Sequence, residues 1–182
     1  MPRAEAFLRA GEQWLLADEP AEAATGFRRA MADGGPVFVD PRAGLARALF
    51  QLGRNAEAQA IIHALNEEGP TDPRICDMIA ELLVERNDLP AALEWATAGV
   101  RLCLSQGRPP QAGDPADEHP ASEQPADEQQ GEDLPGEGLS REDLPGRSGD
   151  ESELRLLLSL RYRIRNDLGL PEDEYDRLLD ES

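Results

Sequence analysis

The sequence predicts an all-α chain of stacked helix pairs, interrupted once by a disordered acidic linker. Through residues 1–104, apolar and small residues recur at helical spacing in blocks of about a dozen, parted by Gly, Pro, Asn and Asp. No β-branched residues alternate with period two, so strands are not expected. The blocks are also related to one another by an internal period, which marks a repeat architecture rather than a single bundle.

The period comes from aligning three turn-and-helix segments: Glu19-Pro-Ala-Glu-Ala23, Arg54-Asn-Ala-Glu-Ala58 and Asp88-Leu-Pro-Ala-Ala92. Ala23, Ala58 and Ala92 then share a column at spacings of 35 and 34 residues. In the first helix of each unit, Gly11, Ala46 and Ala80 form a small column, and Trp14, Leu49 and Leu83 form a bulky one three residues later. In the second helix, Phe27, Ile62 and Ala96 align, as do Ala30, Leu65 and Gly99. Two helices can cross at about 8–10 Å only where a residue without bulk sits between larger apolar neighbours. One hairpin cannot cover its own apolar face, so such units must stack.

These columns resemble the tetratricopeptide repeat, a 34-residue helix–turn–helix unit with the pattern W-x2-L-G-x2-Y, A-x3-F and P. The first unit supplies Phe7, Ala10, Gly11, Trp14, Ala23 and Phe27. The second supplies Leu45, Ala46, Leu49, Ala58, Ile62 and Pro70, and the third Ile79, Ala80, Leu83, Ala92 and Ala96. The chain departs from the pattern where Gly34-Gly35-Pro36-Val-Phe-Val-Asp-Pro41 replaces a tight turn, and where Arg42 and Cys76 take the bulky first position. The resemblance implies a right-handed α-α superhelix of about three and a half to four helix pairs.

Three units fill residues 1–104. A linker is expected over 105–150, and a fourth helix with a C-terminal capping helix over 151–182. Residues 105–153 hold 14 acidic residues against three Arg, together with seven Pro, seven Gly and no aromatic residue. That stretch contains slippage repeats such as Pro115-Ala-Asp-Glu and Pro125-Ala-Asp-Glu. It offers too little apolar surface to offset roughly 1–2 kcal/mol per residue of backbone entropy. Beyond it, Arg165-Asn-Asp-Leu168 repeats Arg86-Asn-Asp-Leu89 with a shift of 79, which places Leu158 under Ile79, Ser159 under Ala80 and Tyr162 under Leu83. Asp150 or Ser152 is expected to cap this helix with Glu153, Gly169 to close it in a left-handed conformation, and Pro171 to open the last one.

Composition excludes several chemistries. Every one of the 18 basic residues is Arg, so neither a Schiff-base lysine nor a P-loop lysine exists. Two Cys and two His cannot supply a thiolate-rich zinc site, and no metal or other cofactor is expected. Cys76 and Cys103 read as small core residues, and His63 as a helix-surface residue. No phosphate loop or nucleophile elbow occurs, so the chain is not expected to be an enzyme. The net charge of −19 disfavours nucleic acid. Arg161 and Arg165 share a helix face while Arg163 points elsewhere, so no basic stripe forms; salt bridges to the acid-rich array or plain solvation are the better reading. With no export signal and no run of 18 apolar residues, a cytoplasmic protein away from membranes is expected. Arg in every basic position alongside abundant Ala suggests a high-GC bacterial genome.

The resemblance further implies a concave groove lined by the first helix of each pair. Its positions here are Glu5, Leu8, Glu12 and Leu15; Asp40, Ala43, Arg47, Phe50 and Gln51; then Arg74, Asp77, Glu81, Val84 and Glu85. Six acids against two Arg favour a basic or amphipathic peptide or protein partner. The Lys, Asn and Arg clamp that some relatives use for acidic tails is missing. The alternative is a self-regulated element, in which the acidic linker or the Arg-bearing C-terminal helix blocks the groove until a partner displaces it.

Overall fold

The computed structural model describes residues 2–106 and 147–180. They form eight helices: α1 Arg3–Leu16, α2 Pro20–Asp33, α3 Pro41–Gln51, α4 Asn55–Glu68, α5 Pro73–Glu85, α6 Leu89–Gln106, α7 Arg147–Asp167 and α8 Glu174–Asp180. Among the described residues there is no strand. Each odd helix pairs with the following even one, and α1, α3, α5 and α7 adjoin in succession as one layer. The stretch 107–146, which holds most of the expected linker and His119, lies outside the described residues.

Local signals set the helix ends. Pro41 and Pro73 open α3 and α5, where a missing N–H costs nothing, and Asp40 and Asp72 accept the N–H of Arg42 and Arg74 at 2.9 Å. Each Arg then folds back onto the same carboxylate, so Asp-Pro-Arg is a second repeated motif of this chain. Asp18, Gly53, Asn87 and Gly169 all have φ between 59° and 74° and close the odd helices in left-handed turns. The residue after each donates its N–H back into the helix, to the carbonyls of Trp14, Leu49, Leu83 and Arg165.

Those turns confirm the bulky column through three units, and they correct the fourth. Aligning Gly169 with Asn87 gives a shift of 82, not 79. Leu157, Leu158, Arg161, Ile164 and Arg165 then lie under Ile75, Cys76, Ile79, Leu82 and Leu83. All five upper residues are buried, as are the first four below them, while Arg165 retains slight exposure. Ser159 and Tyr162, expected in the small and bulky columns, are instead exposed. Two further expectations shift. α7 already begins at Arg147, so Asp150 lies inside it rather than capping it, and α8 begins at Glu174 rather than Pro171. Asp173 accepts the N–H of Tyr175 at 3.0 Å while Asp176 accepts that of Asp173 at 2.9 Å, a reciprocal cap.

Glycine decides how closely neighbouring pairs stack. A Cβ on Gly44 of α3 would lie 2.5 Å from the Phe27 ring of α2, and one on Gly99 of α6 would lie 2.8 Å from both Leu157 of α7 and Cys76 of α5. Between the second and third pairs no glycine serves. α4 brings Ile62 and Leu65, and Met78 of α5 takes the place of Gly44. Accordingly α4 and α5 do not approach as closely as α2 and α3 or α6 and α7.

Candidate functional site

The odd-helix layer carries most of the charged groove positions. Asp77 on α5 is half-buried, and burial, with Glu81 and then Glu153 nearby, pushes its carboxyl up to about 6. Burial also raises Glu153 on α7, with Arg74 opposing the shift, and it raises Glu12 on α1, where Glu5 adds to it. At Asp77 and Glu153 burial disfavours the ionised form, and no cation nearby compensates in full. Glu153 is absent from the sequence-derived set. It sits across the linker from the residues it joins, so no spacing rule could place it.

Other groove positions are committed to the scaffold. Glu5 is buried, accepting the Phe38 N–H at 2.9 Å and the Arg9 Nε–H at 3.0 Å, and these donors hold it below the ordinary carboxylate range. Leu8 and Ala43 are buried. Arg47 of α3 meets Glu85 of α5 at 3.0 Å. Arg74 donates to Asp72 and to the Phe38 carbonyl at 2.9 Å, with its guanidinium 3.8 Å over the Phe38 ring. The loop residue Phe38 is thus held from the first unit by Glu5 and from the third by Arg74. Leu15 and Val84 are half-buried, while Glu81 and Gln51 are exposed.

Phe50 lies elsewhere. It is nearly buried, with the Arg86 guanidinium 5.0 Å above its ring, and it lines a cleft of about 350 Å³ between α4 and α6 with Ile62, Leu83 and Trp95. His63 also borders this cleft, exposed, with Nδ1 3.3 Å from Glu67.

The basic cluster of α7 has a structural partner. Arg161 donates to Asp173, to Asp176 at 3.1 Å and to Thr97 at 3.1 Å, and it stacks 4.8 Å from the Tyr175 ring. Arg165 reaches Asp173 at 2.9 Å and Asp176 at 3.1 Å. Arg163 is exposed. Cys76 and Cys103 are buried, and burial pushes the Cys76 thiol up to about 12, so it is not a thiolate near neutral pH. Among the described residues no group of His, Cys, Asp and Glu is arranged to hold a metal ion, and no helix is long and apolar enough to cross a membrane.

The tetratricopeptide repeat family matches residues 15–82, a span that begins in α1 and ends in α5. No curated protein and no solved structure matches the chain. The matched span, the recurring left-handed turns and the small columns agree that this part of the chain is built of tetratricopeptide repeats.

Proposed function

We propose that this protein is a non-enzymatic adaptor that holds a basic or amphipathic segment of a partner protein against the layer of α1, α3, α5 and α7. Tetratricopeptide repeats serve as protein-interaction scaffolds and are typically without catalysis. The carrying observation is the set of carboxyls raised by burial on one layer: Asp77 of α5, with Glu81 of the same helix and Glu153 of α7 close by, Glu153 itself, and Glu12 of α1. A guanidinium or ammonium placed there regains the Coulomb energy that burial has withheld. Half-buried Leu15 and Val84 supply apolar contact for an amphipathic helix. A reduced, cytoplasmic setting belongs to this reading.

The self-regulated alternative gains less support. Arg161 and Arg165 are already engaged with Asp173 and Asp176, and α7 stacks on α6 as the next unit of the array. An acidic linker would meet carboxylates of its own sign.

The test uses a helical peptide with Leu on one face and Arg on the other, titrated into the full chain by calorimetry. The triple variant Asp77→Asn, Glu81→Gln, Glu153→Gln is expected to bind at least about tenfold more weakly, the loss of roughly 1.4 kcal/mol of ion pairing. Equal affinity in both proteins, or no binding to the unaltered chain, defeats the reading. A self-blocked protein would instead bind more tightly once the charges are removed.

A further inference from the structure

We infer that two copies of this chain associate head to head through the outer edge of α1 and α2, about a two-fold axis passing by the Gly11–Gly26 crossing. Among the described residues no helix packs on the outer side of the first hairpin. That side mixes apolar with charged side chains. Phe7, Ala10 and Trp14 of α1 and Ala21, Thr25 and Gly26 of α2 border a shallow groove of about 380 Å³, and Trp14 is 46% exposed.

The occupant follows from how the edge is arranged along its length. The two helices are level with each other at Gly26, whose Cβ would lie 3.0 Å from the Gly11 backbone. On α1, Phe7 and Trp14 lie at nearly equal distances either side of that level. On α2, Arg29 and Glu22 do the same, and the Arg29 guanidinium lies 6.0 Å from the Phe7 ring, which fixes Arg29 at the Phe7 end and leaves Glu22 at the Trp14 end. A two-fold axis lying in the face and perpendicular to the helices sets α2 antiparallel to α2 of the second copy, and α1 antiparallel to its own counterpart. Each Arg29 then faces a Glu22, and each Phe7 faces a Trp14. The same patch serves both copies, as an isologous interface requires. Small residues Ala10 and Thr25 near the middle let the facing helices approach. Glu22 has no ion-pair partner among the described residues, and Arg29 has none beyond the Phe7 ring. A partner of other shape would have to reproduce this antisymmetric pattern, whereas a second copy does so automatically.

Sedimentation velocity on the full chain across low to high micromolar concentration tests the inference. A dimer is expected. Glu22→Arg or Arg29→Glu alone puts like charges opposite each other twice and should weaken it at least about tenfold, and the combined Glu22→Arg, Arg29→Glu exchange should restore it to within about threefold. Thr25→Arg, beside the axis, should give monomer. All three positions are exposed, and unchanged helical circular dichroism confirms that folding is intact. A monomer at every concentration overturns the inference. So does a dimer indifferent to these changes, which would lie elsewhere, or a combined variant as weak as the singles.

Discussion

Arg161 and Asp176 meet at 3.1 Å with only 4% of each side chain exposed, at the place where the third unit puts Ile79 against its second helix. The fourth hairpin therefore closes on an ionic contact where the third closes on an apolar one. Removing Arg161 leaves the buried Asp176 with Arg165 as its one remaining cation and leaves Asp173 without its main partner. Arg161→Ala should cost about 3–5 kcal/mol, whereas Arg161→Met with Asp176→Asn, which keeps an acceptor for the Asp173 N–H, should recover most of it. Repeat units contact only their neighbours, so hydrogen exchange should report the loss over α7 and α8 and leave α1 to α4 unchanged.

The first three units were legible because turn and crossing residues recur at 34 or 35, and physical constraints on a crossing leave few choices of residue. The fourth was misplaced by three residues because Arg-Asn-Asp-Leu recurs by chance. Gly169, recognisable in the sequence as a left-handed C-cap, was the better anchor, since the turn and not the tetrapeptide sets where the next helix lies. The pairing of Arg161 with Asp176 could not be read at all: it depends on the hairpin register. Of the expected groove positions, Glu5 and Arg74 are engaged with the backbone of Phe38, a contact between loop and helix that periodicity does not encode.

Acid should act on the array in two opposed ways. Contact with Arg161 holds the Asp173 carboxyl down to about 2 against an ordinary 3.8, so its stabilisation is complete above pH 3.8 and disappears as the pH falls towards 2. Asp77 is displaced upward to about 6, so its ionised form burdens the fold above that pH, and the burden lifts as the pH falls from 6 to 3.8. Asp77→Asn should therefore stabilise the protein by about 1–2 kcal/mol near pH 7, after allowing for partial exposure, and by nothing near pH 3.5. Urea midpoints at the two pH values check this.

Phe27 is clamped between two glycines: a Cβ on Gly11 would lie 2.8 Å from its ring and one on Gly44 would lie 2.5 Å away. The ring is 1% exposed and has nowhere to move. Gly44→Ala should destabilise by about 1–3 kcal/mol through overpacking, and Phe27→Leu in the same chain should relieve part of that cost. Gly53→Ala is the contrasting case. Nothing lies within 4 Å of its Cβ, but φ is +74°, so the cost of about 1 kcal/mol is backbone strain that Phe27→Leu cannot relieve.

Peptide binding should itself depend on pH if the odd-helix layer takes a cation. An Arg placed beside Asp77 favours the ionised carboxylate, so association near pH 6 expels the proton that Asp77 otherwise keeps. Affinity for the Leu/Arg peptide should consequently fall as the pH drops below about 6, by at most tenfold per pH unit for one proton. Calorimetry in buffers of different ionisation enthalpy should register the released proton. Asp77→Asn should bind more weakly at pH 7 and lose most of the pH dependence, leaving the smaller contributions of Glu12 and Glu153, whose carboxyls burial also raises. A variant with the same pH profile as the unaltered chain would place the cation away from Asp77.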